Sequence, residues 1–319
     1  MKIVVLSNVL EDKHRELIDK TASEAGAKVC YVTSEAEIPS DFSDAEVLYG
    51  FGMETAEKSK SLKWLCVPSA GVDYLMKPGT FANEDCILTN SAGAYGVTIA
   101  EHMIAVSLMM MRGLDRAYKN SLNGFWDLNR PAQKSLKDCR ITVLGTGDIG
   151  TSFAVRAKAF EPASLVGICR SGKASSVYDS VHKIDALDAV LPSTDLLAMS
   201  LPGTPETRDI LSAERIALMP SGSYIVNVGR GSAIDEDALR DALESGHIAG
   251  AALDVFKTEP LPSDSPLWNT KNLLITPHVA GNLTLEHTLD KNVAMFCEDL
   301  LIYASGKPMK HVVDRKKGY

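Results

Sequence analysis

The six cysteines of this chain (Cys30, Cys66, Cys86, Cys139, Cys169 and Cys297) include no C-x-x-C and no close pair. Neither a disulfide framework nor a thiolate metal site is expected, and reduced, packed thiols suit a cytoplasmic protein. The seven histidines are dispersed, with no H-x-H or H-E-x-x-H spacing, so no metal is expected either. Long apolar runs are also missing. The longest, Met103 to Met111, contains Ser107 and is bracketed by Glu101 and Arg112, too short to cross a bilayer. The opening run ending at Leu6 turns polar at Ser7-Asn8 and acidic at Glu11-Asp12, unlike a secretory signal. Nor is there an excess of positive charge. The 33 Lys and Arg stand against 41 Asp and Glu, a net charge of −8, and nucleic-acid binding draws on clustered Lys and Arg. Neither a membrane nor a nucleic acid is expected as a partner.

What is present is a full-sized core. With 319 residues, 45% of them hydrophobic and 23% charged, the chain reads as a soluble globular protein of two domains. Short β-rich runs alternate with helix-like stretches: Ile3–Leu6, Val29–Val32, Val47–Tyr49 and Trp64–Val67, then Ile141–Leu144, Leu165–Cys169, Leu196–Ser200, Tyr224–Val228 and Gly250–Val255. Continuous apolar strands buried on both faces, with helices between them, make a parallel sheet. The series starts twice, at Lys2 and at Arg140, so the expected class is α/β with two parallel-sheet domains. A long helix over Gly96–Leu114 is expected to join them, followed by a polar loop around Asn120–Pro131. A second helix, Thr284–Ala304, is expected to return to the first domain. The domains then run over 1–97 plus 285–319, and over 98–284. The Met109–Met111 cluster suits buried packing or a subunit interface, and Trp126 suits either an interface or closure over a substrate.

Gly145-Thr-Gly147-Asp-Ile-Gly150 follows a strand and opens a helical stretch, Thr151 to Phe160. The first glycine permits the tight turn, the second lets backbone approach a diphosphate, and the third permits close helix–strand packing. Helix N-terminal amides then face the negative charge. An NAD enzyme wants Asp or Glu at the end of the next strand. Here that position is Cys169, followed by Arg170, Ser171 and Lys173. An Arg fork and a Ser hydroxyl suit the 2′-phosphate of NADP, which a carboxylate would repel. Such bonds contribute about 1.5–3 kcal/mol each. The expected cofactor is NADP, with NAD as a weaker alternative. The plain reading of Arg170, stacking on adenine or lying in solvent, is the competing one.

Three later stretches look chemical rather than architectural: Asn227-Val-Gly229-Arg230-Gly231, then Asp254 through Glu259-Pro260-Leu-Pro262, and Thr276-Pro277-His278-Val-Ala-Gly281. Each closes a strand-like run, and strand C-terminal ends face the ligand crevice of an open parallel sheet. With Ser69-Ala-Gly71-Val-Asp73, Ile99-Ala-Glu101-His102 and Leu201-Pro202-Gly-Thr204-Pro205-Glu206-Thr207-Arg208, these motifs resemble the D-isomer-specific 2-hydroxyacid dehydrogenases. The resemblance runs along nearly the whole chain.

The resemblance implies two Rossmann-like domains with the active site in the cleft between them, and D-2-hydroxy acid and 2-keto acid as substrates. It makes His278 the general acid that protonates the carbonyl oxygen, a task suited to an imidazole. Glu259 pairs with His278, and Arg230 binds the substrate carboxylate and polarises the carbonyl. Backbone amides near Ala70 and Gly71 hold the carboxylate, His278 and Arg230 completing the substrate contacts. Asp254 anchors the nicotinamide carboxamide, Asp148 and Ile149 lend amides to the diphosphate, and Pro202, Thr207, Val228 and Thr98 line the rest of the cofactor cleft. His102 and His287, on expected helices, are read as packing or solvated residues.

The stretch Leu48–Met53 carries no arginine for a phosphate, and Tyr319 follows soon after the returning helix. Both points count against phosphoglycerate as substrate and against a regulatory domain. Phe51, Met53, Leu75 and Met76 are candidates for an apolar wall facing a keto acid with a carbon side chain. Glyoxylate and hydroxypyruvate stay equally open. A homodimer is expected. Two rivals share the fold. A dinucleotide-regulated co-repressor module would retain the same triad, but long tails and a basic stretch are missing. A formate dehydrogenase-like enzyme would need no acid–base pair, against which Glu259 and His278 argue.

Overall fold

The computed structural model describes residues 1–128 and 133–315. The end of the expected polar loop, Asn129–Pro131, lies outside them, as does the chain end at Tyr319. The chain forms two compact units, Met1–Tyr95 with Asn282–Tyr319, and Gly96–Gly281. The joins fall two and three residues earlier than the sequence placed them, because Gly96 already opens a helix.

The first unit holds strands β1 (Lys2–Leu6), β2 (Lys28–Val32), β3 (Val47–Tyr49), β4 (Trp64–Cys66) and β5 (Ile87–Thr89) in the order β2-β1-β3-β4-β5, every pair parallel. Helices α1 (Asp12–Glu24) and α2 (Met53–Lys58) connect them. The second unit holds β6 (Arg140–Leu144), β7 (Ser164–Cys169), β8 (Ser180–Lys183), β9 (Leu196–Met199), β10 (Ser223–Asn227), β11 (Ile248–Leu253) and β12 (Leu273–Ile275). Their order is β12-β11-β10-β9-β6-β7-β8, again parallel throughout. Its helices are α3 (Gly96–Arg112), α4 (Leu114–Leu122), α5 (Asp148–Lys158), α6 (Leu187–Val190), α7 (Ala213–Leu218) and α8 (Glu236–Glu244); α9 (Glu286–Ala304) belongs to the first unit.

The strands are apolar along their length for the expected reason. All four residues of β9 are fully buried, and so are Ile141, Val143 and Leu144 of β6, as in a sheet covered on both faces. In the first unit α9 lays Leu289, Val293, Phe296 and Leu300 on one face of the sheet, against Ile3, Val5, Tyr49 and Trp64. The other face packs Val4, Leu48, Leu65 and Leu88 with Leu75 and Phe81.

The helix expected over Gly96–Leu114 is α3, ending at Arg112, and a second helix, α4, which was not foreseen, follows it. Gly113 stands at φ +60, a left-handed conformation that ends α3, and α4 leaves at a 73° bend. The helix expected from Thr151 starts earlier, at Asp148, so Asp148, Ile149 and Gly150 form the first turn of α5. Strands β5 and β8 were not foreseen.

Candidate active site

Register across the second sheet decides what can meet. Leu144 pairs with Met199, Met199 with Asn227, Asn227 with Leu253, and Leu253 with Ile275. These five residues form one row, and the strands run parallel, so every chain segment that follows emerges at the same edge. Gly145, Pro202, Val228–Gly231, Asp254–Glu259 and Thr276–His278 all lie just beyond that row. The chain passes from β8 back across β6 to β9, which puts a topological switch point at this edge, where open α/β sheets bind ligands.

At this edge the Nδ1 of His278 lies 2.7 Å from Oε2 of Glu259. The other carboxylate oxygen accepts the backbone N–H of Phe256 at 2.8 Å. A carboxylate accepts only, so Nδ1 carries the proton and Nε2 is the nitrogen left to face a reactant. The two side chains are half and one-third exposed. The Glu259–Pro260 peptide bond is cis.

His278 stands at φ +54, a conformation that L side chains rarely adopt. Its own N–H is held by the carbonyls of Asp254 (2.8 Å) and Thr276 (3.0 Å). The buried Asp254 carboxylate accepts the Thr276 hydroxyl at 2.6 Å, the Val279 amide at 2.9 Å and the Ala280 amide at 3.0 Å. Asp254 is thus bonded inside the turn that presents His278. Arg230 follows β10 and is half-buried. Asn227 receives the Gly229 amide and donates to the Arg230 carbonyl, which fixes the turn, while Arg230 Nη1 donates to the Gly229 carbonyl at 2.9 Å.

The fingerprint loop fits a dinucleotide. Gly145 stands at φ +103, and a Cβ on Gly150 would sit 1.8 Å from the Gly145 carbonyl oxygen, so neither position admits another residue. Gly147, the N-cap of α5, has open space where a Cβ would be. First-turn amides of a helix have no acceptor within it, so those of Asp148 and Ile149 border that space; the Asp148 carboxylate is turned to Gly96. Thr207 Oγ1 donates to the Pro202 carbonyl at 2.7 Å, Val228 is buried, and so is Thr98.

At the end of β7, burial pushes the Cys169 thiol up, but hydroxyls of Ser171 and Thr146 and amides of Gly172 and Ser171 outweigh it and bring the thiol below its usual range. These donors serve the Cys169 sulfur itself, next to Arg170 and Ser171 in the chain. Ser171 Oγ also receives the Lys173 amide at 3.2 Å. The Glu206 carboxyl is held below its usual range by its own amide and by Thr204, with Arg170 adding to the effect.

In the first unit, the loop after β4 has its carbonyls tied down. Pro68 O accepts the Tyr95 hydroxyl at 2.5 Å, Ala70 O accepts Asn90 Nδ2 at 2.7 Å, and Gly71 O accepts Ser69 Oγ at 2.9 Å. Ser69 O likewise accepts the Ser91 amide at 2.9 Å, so the peptide planes that carry the Ala70 and Gly71 N–H groups are both held through their carbonyls. The expected apolar wall is corrected here. Leu75 is buried in the core of this unit and Met53 and Met76 pack against that core, so of the four only Phe51 is well exposed. His287 is exposed, whereas His102, expected to pack or be solvated, reaches Thr276 Oγ1 at 3.3 Å. Among the described residues no cluster of His, Cys, Asp or Glu is arranged to hold a metal ion.

Residues 104–280 match the D-isomer specific 2-hydroxyacid dehydrogenase family over its NAD binding domain. The chain belongs to this family. A glyoxylate reductase of Thermofilum pendens is 31% identical over 275 residues, 84% of this chain and 75% of that protein. Among solved structures, a D-isomer specific 2-hydroxyacid dehydrogenase family protein from Aeromonas salmonicida is similar at a TM-score of 0.87 and 30% identity, over 98% of this chain and 99% of that one. The dehydrogenase of the same family from Xanthobacter autotrophicus Py2, in complex with NADPH and MES, is similar at 0.81 and 28% identity, over 100% and 99%. The chain spans about half the length of the D-3-phosphoglycerate dehydrogenases that it matches, 49% for that of Archaeoglobus fulgidus at 31% identity. As a member of the family, the chain is an oxidoreductase with an NAD(P)-binding domain and parallel-sheet α/β architecture.

Proposed function

We propose that this chain reduces a 2-keto acid to the D-2-hydroxy acid, with NADPH as reductant and His278 as proton donor. The observation that carries this reading is the His278–Glu259 hydrogen bond, at the sheet edge that also holds Arg230 and the glycine loop. Bound along that loop, NADPH would supply a hydride to the carbonyl carbon. His278, protonated at both ring nitrogens, would give the Nε2 proton to the carbonyl oxygen and become neutral, with Glu259 holding Nδ1–H before and after the transfer. Arg230, always charged, holds the substrate carboxylate and draws electron density from the adjacent carbonyl. In the first unit the amides of Ala70 and Gly71 would suit a carboxylate as neutral hydrogen-bond donors.

Gly145, Gly147 and Gly150, with the amides of Asp148 and Ile149, would cradle the diphosphate; Pro202, Thr207 and Val228 would border the nicotinamide half. Arg170 and Ser171 would take the 2′-phosphate, a reading supported by the NADPH of the Xanthobacter structure. Asp254, expected to grip the carboxamide, serves better as the anchor of the His278 turn. Glyoxylate and hydroxypyruvate lead as substrates, in keeping with the Thermofilum glyoxylate reductase.

A homodimer and a cytoplasmic, reducing setting complete the proposal. Leu114, Tyr118, Leu122, Phe125, Trp126 and Leu128 expose large apolar side chains on one segment, beside a cavity of about 980 Å³ lined by Met110, Trp126 and Tyr224. Patches of this kind mark association surfaces. All six cysteines are free thiols. Sedimentation of the purified chain at twice the monomer mass would support the dimer, and a monomer at micromolar concentration would refute it.

The functional test is a cofactor absorbance assay. NADPH and NADH are crossed with glyoxylate, hydroxypyruvate, pyruvate, 2-ketoisocaproate and phenylpyruvate. Oxidation of NADPH by one of these acids, with NADH slower, supports the proposal. Faster turnover with NADH overturns the cofactor assignment. Tight cofactor binding without turnover would point to a binding module instead.

A further inference from the structure

The turn that carries His278 is held from a direction that the reaction itself does not explain. Thr276 Oγ1 is 2.6 Å from Asp254 Oδ1 and 3.3 Å from Nε2 of His102, on α3. A hydroxyl has one proton. The carboxylate can only accept, so that proton goes to Asp254. The Thr276 lone pair then faces His102, and only an imidazole protonated at Nε2 can fill it.

We propose that His102 is a positioning residue for the proton donor, its Nε2–H completing a chain through the Thr276 hydroxyl and the Asp254 carboxylate that holds the Thr276–Ala280 turn and His278 within it. The inference rests on the functional reading above. It extends that reading to a residue on α3, a separate helix.

The chain has a direction and an end point. His102 Nε2–H donates to Thr276, Thr276 donates to Asp254, and Asp254 also receives the amides of Val279 and Ala280. Those two amides directly follow the left-handed His278, whose backbone conformation is unfavourable unless its surroundings impose it. With the opposite tautomer, the Thr276 hydroxyl would face a bare nitrogen and be drawn away from Asp254. One of the bonds that gather the turn would be lost, and His278 Nε2 would no longer be fixed where the substrate oxygen needs a proton. A misplacement of this size costs rate more than binding, since Arg230 and the glycine loop are untouched.

The surroundings of His102 favour the neutral ring that this chain needs. Burial lowers its pKa, and Asp254 opposes that effect as the charged group facing it. Glu101, its neighbour on α3, lies 3.8 Å from Arg156 of α5, and Asp148 lies against Gly96 at the start of the helix.

Two substitutions and one spectroscopic measurement test the proposal. His102→Leu removes the donor. In His102→Gln the side-chain amide N–H stands about where Nε2–H does. Relative to wild type, His102→Leu is expected to lose roughly five- to fiftyfold in kcat for keto-acid reduction, with the keto-acid KM and the NADPH Kd within about twofold. His102→Gln is expected to recover to within about threefold of wild type. Unchanged kcat in His102→Leu overturns the proposal, as does an equal loss in both variants accompanied by a matching loss of thermal stability. The activity-independent readout is the ¹⁵N spectrum of histidine-labelled wild type at neutral pH, with His102 assigned by its absence in His102→Gln. Protonated Nε2 and bare Nδ1 are expected, and the reverse tautomer overturns the proposal. If wild type reduces no keto acid, the functional reading fails, and the ring-nitrogen spectrum still decides whether the chain exists.

Discussion

His278 and Glu259 lie nineteen residues apart in sequence, yet Nδ1 of one and Oε2 of the other meet at 2.7 Å. Glu259 is itself oriented by the Phe256 amide on its second oxygen, so the carboxylate aims at the ring instead of swinging in solvent. An acid that acts mainly in the transition state should be separable from binding. His278→Ala is expected to lower kcat by roughly 10²- to 10⁴-fold, while NADPH Kd changes less than about threefold. Glu259→Gln should fall between that variant and wild type. Steady-state kinetics with fluorescence titration of NADPH checks both, and near-normal turnover in His278→Ala would assign the proton to another group.

Cofactor choice should follow Arg170. Its replacement by Ala removes a charge-assisted contact worth about 1.5–3 kcal/mol. The NADPH-over-NADH ratio of kcat/KM is therefore expected to drop by roughly ten- to a hundredfold, chiefly through KM for NADPH. The same ratio in mutant and wild type would show that the guanidinium does not read the phosphate.

Thiol reactivity should single out Cys169. Burial pushes Cys66 up to about 12 and Cys86, Cys139 and Cys297 up to about 11, so their thiolate fractions near pH 8 are very small. Cys169 lies below its ordinary value, because donated hydrogen bonds favour the anion, and a larger fraction is reactive at the same pH. Iodoacetamide labelling followed by peptide mass spectrometry is expected to modify Cys169 well before those four, and saturating NADPH should slow it. Earlier labelling of Cys66 or Cys297 would contradict the packing described.

A fourth expectation concerns stability. Asp195 receives the Arg140 amide, Nε and Nη2, each at 2.9 Å, joining the starts of β6 and β9. Those bonds hold its carboxyl below the usual range. A depressed carboxylate contributes stability above its unfolded pKa, and loses it as pH falls through the folded value. Asp195→Asn is thus expected to cost about 1–2 kcal/mol at neutral pH, with the difference from wild type shrinking below about pH 4. Urea unfolding at pH 7 and pH 3 measures it, and a constant difference would show that the pair contributes nothing through charge.

How much of this was legible in one dimension depended on how local each cause is. An apolar run buried on both faces is a property of four to six neighbouring residues, so β1, β3, β6, β7 and β9 could be read within a residue or two. The third position of the fingerprint was equally plain, since its requirement for glycine is set by the turn that contains it. Strand β8, Ser180–Lys183, is polar and exposed at one end, and β5 has three residues. Their strand character comes from the neighbour they pair with, not from their own composition.

The alternation of strands and helices, the glycine loop, and an arginine, a glutamate and a histidine that each follow an apolar run are all legible in the sequence alone. Only the tertiary structure decided which of them meet. The row from Leu144 to Ile275 is a matter of register between strands as far as 131 residues apart, and no local pattern encodes a register. The same holds for Leu75, whose place in the core depends on which side of β4 its loop folds over. It holds for Asp254 and His102 as well. A buried carboxylate and a helical imidazole acquire a purpose only from the donors and acceptors that the fold brings within 3 Å or so of them, and those come from segments that are distant along the chain.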